Sequence, residues 1–170
     1  HMGYFSQHLD HGEQREESVP WSPVDRLERL PCLVEIELER RTVQVAAWRF
    51  DVIGSSGHPV PLVLLDTDHP RNSPEDRLLT HHLYGGDDYY RLAQEAVLGI
   101  GGVRMLRALG CKGLATFHLN EGHAALAPLE LLRTASGSAQ DWDFAGVRQR
   151  CVFTTHTPVA AGHDRFDYKL

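Results

Sequence analysis

A chain of 170 residues, 42% hydrophobic and 24% charged, has the composition of a globular domain, and the length favours a single one. A formal net charge of −6 with no basic stripe excludes nucleic acid as the main partner, and no apolar run approaches the roughly 20 residues of a membrane span. Three scattered cysteines (Cys32, Cys111, Cys151) form no disulfide framework, and the polar start does not read as a signal peptide, so a cytoplasmic protein is expected.

Residues 1–31 carry Pro20, Pro23 and Pro31 and read as an irregular arm anchored by Tyr4, Phe5 and Trp21. The domain proper is expected over 32–170. It opens with Val34, Ile36 and Leu38 alternating against Glu35, Glu37 and Glu39, a half-buried strand. A second alternating run begins at Val43 and slips phase at Ala46-Ala47. The slip predicts a bulge in an antiparallel hairpin. Val60 to Leu65 is nearly all apolar and reads as a fully buried strand.

Asn72-Ser73-Pro74-Glu75-Asp76 is a helix start, with Ser73 as cap and Pro74 in the first turn; that helix is expected to run to Leu83. A long helix follows from Asp88 to Leu109, closed by Gly110. Gly99, Gly101 and Gly102 sit inside it. They do not form a dinucleotide fingerprint: Arg104 takes the third glycine's place and the run lies within a helix. Close approach to a neighbouring strand is the better account. A strand over 114–119, a helix from Glu121 to Arg133 capped by Asn120 and kinked at Pro128, a shorter helix over Trp142–Arg150 and a strand over Cys151–Thr155 complete the pattern. Alternating strands and helices predict an α/β fold with a Rossmann-like, mostly parallel sheet, helices on both faces, and the hairpin as an addition.

Two strands therefore end in polar residues, one in His118-Leu119-Asn120-Glu121-Gly122-His123 and the other in Thr154-Thr155-His156-Thr157. The carboxyl edge of a parallel sheet is where ligands bind. Asn120, Glu121, His123, Thr155 and His156 can hold sugar hydroxyls with paired donors and acceptors. They can equally be a helix cap and local hydrogen bonds. A metal site on His118, His123, His156 and His163 is the weaker alternative, because spacings of five and seven residues suit neither a helix nor a strand. No Gly-x-Ser-x-Gly elbow is present. Asp66-Thr67-Asp68 reads as a solvated Asx turn.

In order along the chain, Gly3-Tyr4-Phe5-x-Gln7, Trp48-Arg49-x-Asp51, Leu64-Leu65-Asp66-Thr67-Asp68, Asn72-Ser73-Pro74-Glu75-Asp76-Arg77 and Leu83-Tyr84-Gly85-Gly86-Asp87 resemble segments of the α-glucan (glycogen, starch, maltodextrin) phosphorylases. So do Gln94-Glu95, Leu98-Gly99-Ile100-Gly101-Gly102-Val103-Arg104, His118 to Ala124, Phe153 to Pro158, and Ala161-Gly162-His163-Asp164-Arg165-Phe166. The resemblance implies part of the N-terminal half of a two-domain, B-type glycosyltransferase. Such enzymes move glucosyl from an α-1,4-glucan to phosphate with retention, through the phosphate of pyridoxal phosphate. By the same resemblance His156 contacts a sugar hydroxyl in the glucosyl subsite, and Asn120, Glu121 and His123 lie near the cleft on the acceptor side.

The phosphate loop and the cofactor-binding domain of that family have no counterpart in these 170 residues, and Asp88-Tyr89-Tyr90 replaces a more charged run. The expectations are thus no catalytic residue, no pyridoxal phosphate and no resident metal on this chain. Weak binding of α-1,4-glucan or maltooligosaccharide, dependence on a C-terminal domain supplied separately, and no phosphorolysis by the chain alone are also expected. A non-catalytic carbohydrate-binding module that pairs as a homodimer is the alternative.

Overall fold

The computed structural model describes residues 5–19, 21–82, 86–135, 142–159 and 163–167. Tyr4, the Tyr84 loop, Gly137-Ser138 and Ala161-Gly162 lie outside them. Described residues form an α/β structure of three small sheets and helices. Four strand pairings are present among them, three antiparallel and one parallel, so the sheet expected to be mostly parallel is not what these residues build.

The expected irregular arm contains a hairpin, β1 (Phe5–Asp10) against β2 (Glu13–Ser18). His11 and Gly12, both at positive φ (+50° and +86°), make the two-residue turn that suits antiparallel strands. Polar residues on both faces of β2 hide the hairpin from a search for apolar alternation. A single turn, α1 (Pro23–Arg26), leads into β3 (Glu28–Leu38), so the boundary drawn after residue 31 falls inside a strand.

β3, β4 (Arg41–Ile53) and β5 (Pro59–Asp66) form an antiparallel sheet in that order. β4 is central, and Val43 to Ala47 are buried on both of its faces, which is why its alternation slips. The irregularity lies opposite, in β3: Arg29 pairs with Trp48 and Leu33 with Ala46, so two extra β3 residues bulge around Pro31. β5 corrects the reading of Val60–Leu65 as fully buried. It is an edge strand with Val60 and Leu62 exposed. Pro59 and Pro61, which cannot donate to a second neighbour, confine it to the edge.

α2 (Pro74–Arg77) begins as the sequence indicates, its Ser73 hydroxyl accepting from Asp76 N, but it lasts one turn instead of reaching Leu83. The long helix is present in three pieces: α3 (Asp88–Ala96), a π-helical turn (Val97–Gly101) and α4 (Gly102–Ala108), with Gly110 in the left-handed C′ position. It packs on both sides. Ala93 and Val97 join Ile36, Val43, Val45 and Leu79, whereas Val103 joins Leu119, Leu131, Leu132 and Val147. The glycines permit this. A side chain on Gly99 would meet the Ala127 backbone at 2.7 Å, and Gly101 faces Ile36 and Val45.

β6 (Phe117–Asn120) is shorter than expected, and Asn120 ends the strand instead of capping a helix. A 3₁₀ turn (Gly122–Ala124) separates it from α5 (Ala127–Ala135). Pro128 therefore falls in the first turn of α5, where its missing N–H costs nothing, and it does not kink a longer helix. α6 (Phe144–Arg150) is capped by Asp143, which accepts from Gly146 N, and runs directly into β7 (Cys151–Thr154).

Candidate functional site

β6 and β7 are parallel neighbours in register from Phe117 opposite Cys151 to Asn120 opposite Thr154. Both strands thus end at one level, and their following residues meet. Glu121 N donates to Thr154 O at 2.9 Å, carrying the pairing one residue past the strand. Glu121 then adopts φ +51° and ψ −149°, a conformation that non-glycine residues rarely take. In that conformation its carboxylate reaches across the tip of β7.

There Glu121 Oε1 accepts from the backbone N–H groups of His156 (2.7 Å) and Thr157 (2.5 Å), and Oε2 accepts from the Thr157 hydroxyl (2.8 Å). These bonds stabilise the charged carboxylate, and together they hold its pKa down at about 2, against an ordinary value of 4.5. His156 Nδ1 is 3.1 Å from the same carboxylate, and His156 Nε2 is 2.8 Å from Asn120 Oδ1. The imidazole is thereby oriented from both ring nitrogens while its side chain stays 56% exposed. Asn120 and Thr155 are exposed beside it. His118 Nε2 lies 2.5 Å from Thr154 Oγ1, which ties the outer face of the same two strands.

The five residues singled out from sequence do not form one group. Asn120, Glu121 and His156 are bonded together, with Thr155 next to them in the chain. His123 belongs to a second cluster with Glu95 of α3 and Asp164 of the C-terminal loop, one ligand-type atom of each lying within 4.8 Å of the others. Glu95 is buried, and that burial, with the neighbouring Asp164 charge second, pushes its pKa up to about 7. Arg91, one turn earlier on α3, holds Asp164 Oδ2 at 2.6 Å. The two clusters are linked by Gly122, whose α-carbon leaves Glu95 Oε1 and Asp164 Oδ2 both within 4 Å of where a side chain would start.

Thr157, Glu95, Arg91 and Asp164 were not singled out as site residues. Glu95 had one available signal, a carboxylate at i+3 from Leu92 on the apolar stripe of its helix, a place where charge is rarely buried without a partner. Among the four histidines considered as metal ligands, His118 and His156 are engaged in the strand-end bonds just described, and among the described residues only His123 belongs to a group of three ligand-type side chains.

Asp66 forms the expected Asx turn, accepting from Asp68 N at 2.9 Å, but it is not solvated. Buried at 3% exposure, it also accepts from Trp48 Nε1 (2.7 Å) and Arg29 (3.3 Å). It belongs to the scaffold, as does Asn72, which bridges β4 and the 66–72 loop through Gln44 N, Gln44 O and Thr67 O.

Fold and site together define an α/β protein with a hydrogen-bonded polar cluster at the carboxyl end of a parallel strand pair. No family model matches the chain. It is 42% identical over 176 residues to the maltodextrin phosphorylase of Thermococcus litoralis, an alignment covering 96% of this chain and 20% of that protein. With the glycogen phosphorylase of Mycobacterium tuberculosis the identity is 39% over 184 residues, covering 99% of this chain and 21% of that protein. An uncharacterized protein of Methanocaldococcus jannaschii is 31% identical over 170 residues, with 99% and 30% covered. The chain belongs to the maltodextrin and glycogen phosphorylase family, and it spans about a fifth of the length of the phosphorylases it matches. No helix among the described residues is long and apolar enough to cross a membrane.

Proposed function

We propose that these 170 residues supply a sugar-facing edge of an α-glucan phosphorylase, on the N-terminal, Rossmann-like half of a B-type glycosyltransferase. The observation that carries this reading is the convergence of β6 and β7. Asn120 and His156 stand exposed and 2.8 Å apart at the sheet edge, His156 held by the buried carboxylate of Glu121 and Asn120 in turn by His156. An amide fixed in this way by the imidazole offers a polyhydroxylated ring its Nδ2 donors and a second Oδ1 lone pair with little further loss of side-chain entropy. Glu121 itself is saturated by Thr157 and His156, so its role is to position them. His123 lies a turn away and lines the same segment.

Pyridoxal phosphate would supply proton relay chemistry to the whole enzyme and is expected to be held outside this stretch. A Schiff base needs a lysine amine; Lys112 is exposed on the loop after α4, and Lys169 is outside the described residues. No step is therefore assigned to the cofactor on this chain, and the chain alone is expected to bind glucan weakly without phosphorolysis.

The test is a titration of the chain with maltopentaose, followed through the ring ¹H–¹⁵N signals of its histidines. Saturable shifts of His156 that disappear in the Asn120→Ala variant are expected. Unmoved His156 signals at millimolar sugar would remove the site. A second reading, self-association, is favoured by one observation: Val152 and Phe153 of β7 are about half exposed. Light scattering that finds only monomer at high concentration would end it.

A further inference from the structure

We propose that Glu95, His123 and Asp164 form a binding site for a divalent metal ion of the zinc class, beside Gly122. The three donors come from separate parts of the chain: α3, the 3₁₀ turn after β6, and the C-terminal loop. One ligand-type atom of each nevertheless lies within 4.8 Å of the other two. An ion at the centre of a triangle with that edge is at most about 2.8 Å from each donor, so a contraction of under about 1 Å reaches the 2.0–2.2 Å at which zinc binds imidazole and carboxylate.

A second observation points the same way. Glu95 is 5% exposed, and its Oε1 is fully buried with no hydrogen-bond partner among the described residues. A buried carboxylate oxygen left without a donor is costly, and a cation satisfies it directly. The charges agree. Once Glu95 gives up its proton to the incoming ion, two carboxylates face one guanidinium, that of Arg91 on Asp164, which leaves a negative balance for the ion. Arg91 is recorded on Asp164 Oδ2, and a carboxylate has a second oxygen to offer. One imidazole with two carboxylates suits zinc or manganese better than calcium or magnesium, which prefer all-oxygen shells. His123 and Asp164 are half-buried, so an ion can enter from their side.

This site does not depend on the sugar reading, because Asn120 and His156 take no part in it. The test is a calorimetric titration of chelator-stripped 170-residue chain with zinc chloride, alongside the same histidine-ring spectra. Binding at one ion per chain is expected, with the largest shift on the His123 ring. His123→Gln, Asp164→Asn and Glu95→Gln should each weaken it by roughly 10- to 100-fold or more, a loss that even residues merely supporting a ligand produce. Circular dichroism checks each variant. If Glu95→Gln does not fold, the other two, at half-buried positions, carry the test. No zinc uptake by the folded chain overturns the proposal. So does uptake that persists undiminished in both His123→Gln and Asp164→Asn, since the chain has 11 histidines that could take the metal elsewhere.

Discussion

Alanine at Gly99 and alanine at Gly102 should move stability in opposite directions, although both glycines belong to one continuous helical stretch. An added Cβ at Gly99 lies 2.7 Å from Ala127 N and 2.9 Å from Leu126 C, and these are backbone atoms that cannot rotate away. Reaching an ordinary contact of about 3.4 Å requires α5 to retreat by about 0.7 Å. Forcing extra volume into a packed interior costs about 1–3 kcal/mol. The better helix preference of alanine returns about 1 kcal/mol. The net is a loss of up to about 2 kcal/mol, or up to roughly 8 °C in Tm for a chain of this size. At Gly102 the same Cβ meets only Leu65 Cδ1 at 3.8 Å, an ordinary contact with a movable side chain. There the helix preference is uncompensated, and G102A should gain up to about 1 kcal/mol. Thermal unfolding by circular dichroism reads both. G99A should also shift backbone amide signals from Glu121 to His123, because the Ala127 backbone it displaces follows that segment. A G99A chain as stable as G102A would refute the account of Gly99 as a packing device between the π-helical turn and the start of α5.

The two perturbed carboxyls give stability opposite pH dependences, best measured as Tm with chelator present. Glu121 is depressed to about 2, so its contribution is full above the ordinary value of 4.5 and is lost as pH falls from there toward 2; E121Q should flatten this acid limb. Glu95 is raised to about 7, so the folded state holds its proton more tightly than the unfolded chain. Stability should decline as pH rises from about 4.5 to about 7, and E95Q should abolish that decline. Asn72→Ala removes bonds of 2.8, 2.8 and 2.7 Å and strands buried groups of Gln44 and Thr67. A loss of roughly 2–4 kcal/mol in denaturant unfolding is expected from three such bonds.

What the sequence made legible was whatever had an apolar period or a punctuating residue. Ser73-Pro74, the long helix closed by Gly110, and the apolar run of β7 ending in Thr154 are all read from side-chain type and spacing. Two apolar runs that each end in polar residues were legible as strand ends, but that β6 and β7 are neighbours, on which the site rests, comes from the structure. Failures have a common physical source, since they depend on what a segment packs against. Val60 to Leu65 is apolar enough to be central, yet Pro59 and Pro61 keep it at an edge. β2 has no apolar face at all and is held by the His11-Gly12 turn. Pro128 reads as a kink only if the helix is assumed to begin at Glu121, and nothing local announces that Glu121 turns to φ +51°.

That turn fixes where each half of the site goes. In a regular helix, residues two apart such as Glu121 and His123 would project about 200° from each other. In the structure the strained backbone sends the Glu121 side chain over β7, where it organises His156 and Thr157, and hands the next residues to a 3₁₀ turn that delivers His123 to α3. Relaxing that one conformation should therefore uncouple the halves unequally. Glu121→Ala removes the acceptor of two backbone N–H groups on the β7 side and should loosen the loop after Thr154, seen as faster amide exchange at His156 and Thr157. The Glu95–His123–Asp164 cluster, anchored by α3 and Arg91, should keep its geometry. Equal loss of protection at His123 would mean that the two clusters are one cooperative unit and that their separation at Gly122 has no energetic meaning.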